Sequence, residues 1–236
     1  MTDLFRASGA GAVMASRAPI DPGELDYFPT PPWAARAGAE LVRALDPAPG
    51  LKCWEPAAGG GHMALPLLDY FSEVSVSDIH DHGGPLSPLH HLGDFLDPDF
   101  GQAINADWII SNPPFRDGAA FVRSAWRRAG RGVAMLLRLQ FLESAERYRL
   151  FREETPLRAV GVFSDRVPMV KGRWDPEAST ATAYGWFIML KPGVPGYGRP
   201  PEVLFIPPGT RERLWRDTDV RQFASVAAAP LLEGLE

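Results

Sequence analysis

The sequence predicts an α/β domain: a doubly wound, mostly parallel, seven-stranded sheet with a C-terminal antiparallel hairpin. Three observations predict it. Short apolar runs alternate with stretches of helical period from residue 51 to 163, the pattern of parallel strands crossed by helices. A Gly-Gly-Gly turn at 59–61 joins one such run to the helical stretch after it. The approach to the apolar run Tyr184–Leu190 carries no helical pattern, so the last strands are expected to meet antiparallel.

Each element has a local reason. Thr30 is placed to cap a helix with Pro31 in its first turn, and Ala34, Ala37, Gly38, Leu41, Val42 and Leu45 follow at helical spacing. Asp46-Pro47-Ala48-Pro49-Gly50 ends that helix. Leu51–Glu55 reads as the first strand, Met63–Phe71 as a helix and Val74–Asp78 as the second strand. A third short strand is expected just before Gly93, and Trp108–Ser111 is expected as the fourth. Gly118–Gly130 reads as a helix, Gly132–Leu137 as the fifth strand and Ser144–Glu154 as a helix. Leu157–Phe163 and Tyr184–Leu190 are the last clear strands, with Glu202–Ile206 a further candidate. Residues 1–23 read as a loose arm, 24–206 as one domain, 164–182 as a patternless loop, and 207–236 as a polar tail with at most one short helix.

Composition narrows the function. No run of 18 apolar residues appears, so no membrane partner is expected. The lone Cys53 cannot pair within the chain and sits in an apolar segment, which fits a buried atom in a reducing, cytoplasmic setting. His80, His82, His90 and His91 lack a cysteine or carboxylate set at ligand spacing, so no metal is expected. The net charge of −5 conceals an asymmetry: residues 1–115 carry −10, residues 116–173 carry +7, and residues 174–236 carry −2. The basic block starts at Arg116 and suits a phosphate-bearing substrate.

The candidate chemistry lies where strands end. In Ser111-Asn112-Pro113-Pro114-Phe115, two prolines cannot continue a ladder, so the backbone carbonyls around them are left free and rigid. The Asn112 side-chain oxygen and the Pro113 carbonyl are placed to accept both hydrogens of one planar NH₂ group. Phe115 offers a face for stacking a flat ring, worth about 1–3 kcal/mol for a nucleobase. Glycines 59–61 form a nucleotide-type cradle, although Ala64 stands where a dinucleotide fingerprint has its third glycine. Asp78, 17 residues after Gly61, suits ribose hydroxyls, and Asp94-Phe95 suits an adenine amine and ring.

Taken together, these strings resemble a known family. Glu55-Pro56-Ala57-Ala58-Gly59-Gly60-Gly61-His62, then Ser77-Asp78-Ile79, then Ser111-Asn112-Pro113-Pro114-Phe115 look like the amino-methyltransferases that use S-adenosylmethionine. Bacterial and phage adenine-N6 DNA methyltransferases of the gamma motif order are the nearest match, and Tyr27-Phe28-Pro29-Thr30-Pro31 is similar to the segment they place ahead of the glycine loop. Arg138–Ser144 and Tyr184–Phe187 resemble their later strands, so the likeness spans about 26–190. It implies a cofactor-binding set of Tyr27, Thr30, Pro31, Glu55, Pro56, Ala57, Gly59, Gly61, Asp78, Ile79, Asp94 and Phe95. Within it, Gly59 and Gly61 line the methionine moiety, Glu55 and Asp78 hold the amino-acid and ribose ends, and Asp94 holds the adenine. It further implies a catalytic set of Asn112, Pro113, Pro114 and Phe115, acting on a base flipped out of DNA.

The chain departs from that family in one respect. Gamma enzymes that read a site carry a substantial C-terminal recognition domain, and the tail after Ile206 is too short to build one. Arg116 and the 164–182 loop, with Arg166, Lys171, Arg173 and Trp174, are then the candidate substrate contacts; otherwise specificity is low or a partner supplies it. Three other readings share the turn or the cradle: an RNA adenine-N6 methyltransferase, a protein-glutamine methyltransferase, and a non-catalytic module that binds S-adenosylmethionine or nucleic acid.

Overall fold

The structure is a computed structural model that describes residues 25–89 and 91–223. The expected arm over 1–23, His90, and the 224–236 part of the expected tail lie outside the described residues. Helix α1 (Pro32–Leu45) is followed by β1 (Lys52–Glu55), the short α2 (Ala64–Leu67), β2 (Glu73–Val76), β3 (Trp108–Ser111) and α3 (Gly118–Arg128). Then come β4 (Gly132–Arg138), α4 (Ala145–Arg149), β5 (Leu157–Phe163), β6 (Tyr184–Leu190), β7 (Glu202–Ile206), α5 (Thr210–Leu214) and α6 (Asp217–Phe223). The seven strands form one sheet in the order β2-β1-β3-β4-β6-β5-β7. All neighbours are parallel except β6, which runs antiparallel to both β4 and β5.

The two faces of this sheet bury separate cores, and strand periodicity sorts side chains between them. Along β3, Trp108 and Ile110 join a core with Trp33, Val42 and Trp186, while Ile109 joins one with Phe121, Val122 and Phe187. Helix α1 covers the first face and α3 the second, as a doubly wound sheet requires. The small residues of α1 have a packing cause. A Cβ at Gly38 would lie 2.2 Å from Trp186 Cε2, and the Trp186 indole N–H donates to the Ala34 carbonyl at 3.1 Å. A tryptophan is thus seated flush against the helix backbone. Cys53 is buried in the same core.

Several local expectations are corrected. The third strand before Gly93 does not form; only Asp78 and Leu92 pair, because Pro88 and Gly93 leave too short a run for a ladder. Trp108–Ser111 is therefore the third strand, and Glu202–Ile206 becomes the seventh by adding to the outer side of β5. The helix expected over Met63–Phe71 shrinks to α2 and then continues as turns. Pro66 near its start has no N–H to give the ladder. Thr30 does not cap α1: Pro31 takes the cap position without a side-chain bond, and its carbonyl accepts from Ala34 and Ala35.

The expected helix over Ser144–Glu154 is one turn of α4 followed by a wider π-helical turn at Leu150–Glu154. The segment after Ile206, expected to hold at most one short helix, carries two. They pack on the open side of α1, where Arg36, buried at mid-helix, donates to both oxygens of Asp219 at 2.6 and 2.9 Å. Burial alone would lower the Arg36 pKa, and the paired Asp219 raises it.

Candidate active site

The order β2-β1-β3 brings the ends of three parallel strands side by side, the place where ligands sit in open α/β sheets. The Asn-Pro-Pro-Phe turn leaves β3 there, the glycine loop leaves β1, and Asp78 follows β2. A cavity of about 420 Å³ opens between them. Of the expected cofactor set, Tyr27, Thr30, Glu55, Pro56, Ala57, Gly59, Asp78, Ile79, Asp94 and Phe95 line it, whereas Pro31 and Gly61 do not. Of the expected catalytic set, Asn112 and Pro114 line it and Pro113 and Phe115 do not; Arg116 is the one member of the substrate set that lines it.

Glu55 is the buried carboxylate of this site. Its Oε1 accepts from Ser111 Oγ at 2.6 Å and from the Ala57 N–H at 3.0 Å, while Oε2 is buried with no partner. Burial raises its pKa to about 8 against those two hydrogen bonds. A carboxyl left half-satisfied at a cavity wall suits a donor brought by a ligand.

Asp78 is held differently. Its two oxygens accept from the Gly59 N–H at 2.8 Å and the His80 N–H at 3.1 Å, with His82 Nε2 3.8 Å from Oδ1, so it shapes the glycine loop. Burial raises its pKa, and those backbone bonds partly offset the rise. Gly59 sits at φ +53°, where a Cβ would also lie 2.5 Å from the Tyr27 ring. Phe95 is almost fully buried, edge-on to Trp54, so it forms the cavity floor.

The Asn112 amide is oriented by the chain before α1. Its Nδ2 donates to the Phe28 carbonyl at 2.9 Å, with the Met169 sulfur at 3.7 Å. A carbonyl can only accept, so the amide nitrogen must face Phe28 and the oxygen must face away. That Oδ1 is buried and has no partner. The Pro114 carbonyl accepts from Asp117 N–H at 3.1 Å, leaving the Pro113 carbonyl as the neighbouring acceptor. The Phe115 N–H donates to Asp26 Oδ2 at 2.9 Å; its ring meets Phe28 at 4.9 Å, and the Arg138 guanidinium lies over it at 4.2 Å.

Residues 26–28 therefore stitch three segments together. Tyr27 accepts from the Gly60 N–H through its hydroxyl at 3.2 Å and from the Gly172 N–H through its carbonyl at 2.8 Å. The second bond docks the tight turn at 170–173, in which Val170 pairs with Arg173, onto the site. The 164–182 loop thus touches Tyr27 through its backbone and Asn112 through Met169, while none of its residues lines the cavity. Arg166 donates to Ala181 within the loop, Arg173 pairs with Asp175, and Lys171 is exposed in the 170–173 turn. Trp174 is a correction: it is buried and packs on Trp215, because α5 and α6 supply an apolar partner for it.

Sequence reasoning missed Asp26, Phe28, Met169 and Arg138 as site residues. Asp26 and Phe28 act through contacts 89 and 84 residues away in the chain, for which no local pattern exists. Among the described residues, no group of three or more His, Cys, Asp or Glu is placed to hold a metal, and no helix is long and apolar enough to cross a membrane.

No family model and no curated protein matches this sequence. Solved structures do resemble it. The type I restriction-modification system methyltransferase subunit from Streptococcus thermophilus is 16% identical with a TM-score of 0.53, over 70% of this chain and 45% of that one. The fold is that of the class I methyltransferases. Magnesium protoporphyrin IX methyltransferase from Synechocystis PCC 6803, solved with bound SAH, is 13% identical with a TM-score of 0.46, over 68% of this chain and 82% of that one. The present chain spans less than half the length of the restriction-modification subunit.

Proposed function

We propose that this protein transfers a methyl group from S-adenosylmethionine to the exocyclic N6 amine of adenine in DNA. One observation carries the reading: Asn112, pinned through its nitrogen by Phe28, presents a buried and unpartnered Oδ1 at the cavity wall. Such an oxygen is costly to leave unmade, and a ligand N–H satisfies it. The cofactor also fits the residues present. Glu55 Oε2 awaits a donor such as an ammonium, the Asp78 carboxylate lines the cavity as an acceptor for hydroxyls, and Gly59 and Ala57 keep the loop wall low.

When bound, S-adenosylmethionine supplies an activated methyl group. The chain's task is orientation, which in well-aligned reactions supplies roughly 7–11 kcal/mol of the barrier. Asn112 Oδ1 and the Pro113 carbonyl accept the two amine hydrogens, bias the nitrogen toward pyramidal geometry and stabilise the positive charge that develops on it. Phe115 takes over the stacking that a flipped base loses. In the free protein Arg138 occupies that aromatic face, so it must swing aside when a base enters. Arg116 and Arg138, both exposed, then stand at the mouth for phosphates.

The test is methyl transfer from radiolabelled S-adenosylmethionine to duplex DNA, single-stranded DNA and bulk RNA, with Asn112→Ala alongside. Label recovered as N6-methyladenine in DNA, and lost in the variant, is the expected result. Label confined to RNA, or full activity of Asn112→Ala, overturns the reading.

A further inference from the structure

A second cavity, of about 340 Å³, lies at the other end of the sheet, where β5 and β7 begin and β6 ends. That volume is at the lower end of small-molecule sites, about 300–1,000 Å³. Three arginines line it, Arg152, Arg158 and Arg199, and no carboxylate does. Arg158 is buried at its base beside the Gly196 turn, where a Cβ on Gly196 would lie 3.3 Å from the arginine Nε. Its Nη1 lies 2.7 Å from Glu202 Oε1, but without hydrogen-bond direction, and its Nε has no partner. A buried guanidinium with donors unspent is a costly arrangement unless an acceptor arrives. Glu202, at the exposed start of β7, is the one acid paired there and leaves the local balance positive. Arg152 and Arg199 are exposed at the cavity, and Tyr197 beside them is 42% exposed.

We infer that this cavity binds a small phosphate-bearing molecule, with the phosphate on the Arg158 fork and the exposed arginines closing over it. Guanidinium groups match phosphate oxygens in paired hydrogen bonds. The apolar wall of Phe151, Leu157 and Leu190, with Tyr197 at the rim, suits an organic body attached to the phosphate. The site is separate from the methyl-transfer cavity and does not depend on that activity.

Isothermal titration with inorganic phosphate, adenosine 5′-monophosphate and adenosine tests it on the full chain. Saturable binding of the two phosphate probes is expected, weakened at least tenfold in the Arg152→Ala/Arg199→Ala double variant and in Arg158→Gln. The double variant changes only exposed side chains and should keep the wild-type melting temperature. Monophosphate binding tighter than inorganic phosphate supports an ester as the ligand, and equal binding supports free phosphate. Absence of saturable phosphate binding, or undiminished binding by the folded double variant, overturns the inference, as does adenosine binding as tightly as its monophosphate in a mode that the double variant weakens equally.

Discussion

Strand β3 is four residues long, and a buried carboxylate hangs from each end of it. At its start, Trp108 donates to Asp46; at its end, Ser111 donates to Glu55. Both acids are 1% exposed. Burial would raise both, yet their titrations move in opposite directions. Asp46 also receives two bonds from Arg131, both at 2.7 Å, and these with the Trp108 bond hold it below the ordinary aspartate range. Glu55 has no cation and an empty oxygen, and it is pushed up to about 8. Equal burial therefore does not mean equal role. Asp46 is finished by its own chain, as a structural carboxylate is, whereas Glu55 and its neighbour Asn112 are left incomplete, as the proposed site requires.

The comparison breaks most visibly at Asn112. Asn112→Ala should lower the methyl-transfer rate by about 10²–10³-fold, the cost of removing one donor or acceptor aimed at developing charge. Cofactor affinity, measured by titration, should stay within a fewfold of wild type. Asp46→Ala should do the reverse. It should cost about 3 kcal/mol in denaturant unfolding, the low end for a broken buried pair because Arg131 keeps some solvent contact. Transfer by the remaining folded protein should be little changed.

Glu55 sharpens the contrast through pH. Its folded pKa of about 8 lies above the ordinary 4.5, so between those values the folded state holds a proton that the unfolded state releases. Stability of the cofactor-free protein should therefore fall as pH rises through that window. Melting temperatures of wild type and Glu55→Gln against pH check this, since the variant should lack that component. The same proton must leave for Glu55 to meet an ammonium, so cofactor affinity should rise with pH in wild type. Glu55→Gln should bind cofactor about tenfold more weakly, the scale of one lost charge-assisted hydrogen bond.

Arg138→Ala should have the smallest effect. Loss of its cation–π contact with Phe115 should change stability by no more than about 1 kcal/mol. If Arg138 moves to a phosphate when a base enters, the variant should bind DNA more weakly with a salt slope lower by about one. An unchanged slope would confine Arg138 to its resting contact with Phe115.

The sequence alone was enough for whatever depends on neighbours along the chain. The alternation of strand and helix, the glycine turn at 59–61, the prolines that end β3 and the ring of Phe115 follow from backbone sterics and periodicity, which act over a few residues. Even the count of seven strands came out right, although β7 replaced the strand expected before Gly93. Tertiary structure alone decided which polar atoms would be satisfied. Asn112 meets Phe28 across 84 residues, and Arg36 meets Asp219 across 183. Trp174 was withdrawn from the surface by Trp215. Such pairings carry no periodic or turn signature, because any donor can serve any acceptor that the fold brings within 3 Å or so. Asn-Pro-Pro-Phe points to a candidate site; the partner of the Asn112 nitrogen determines which of its atoms is left without one.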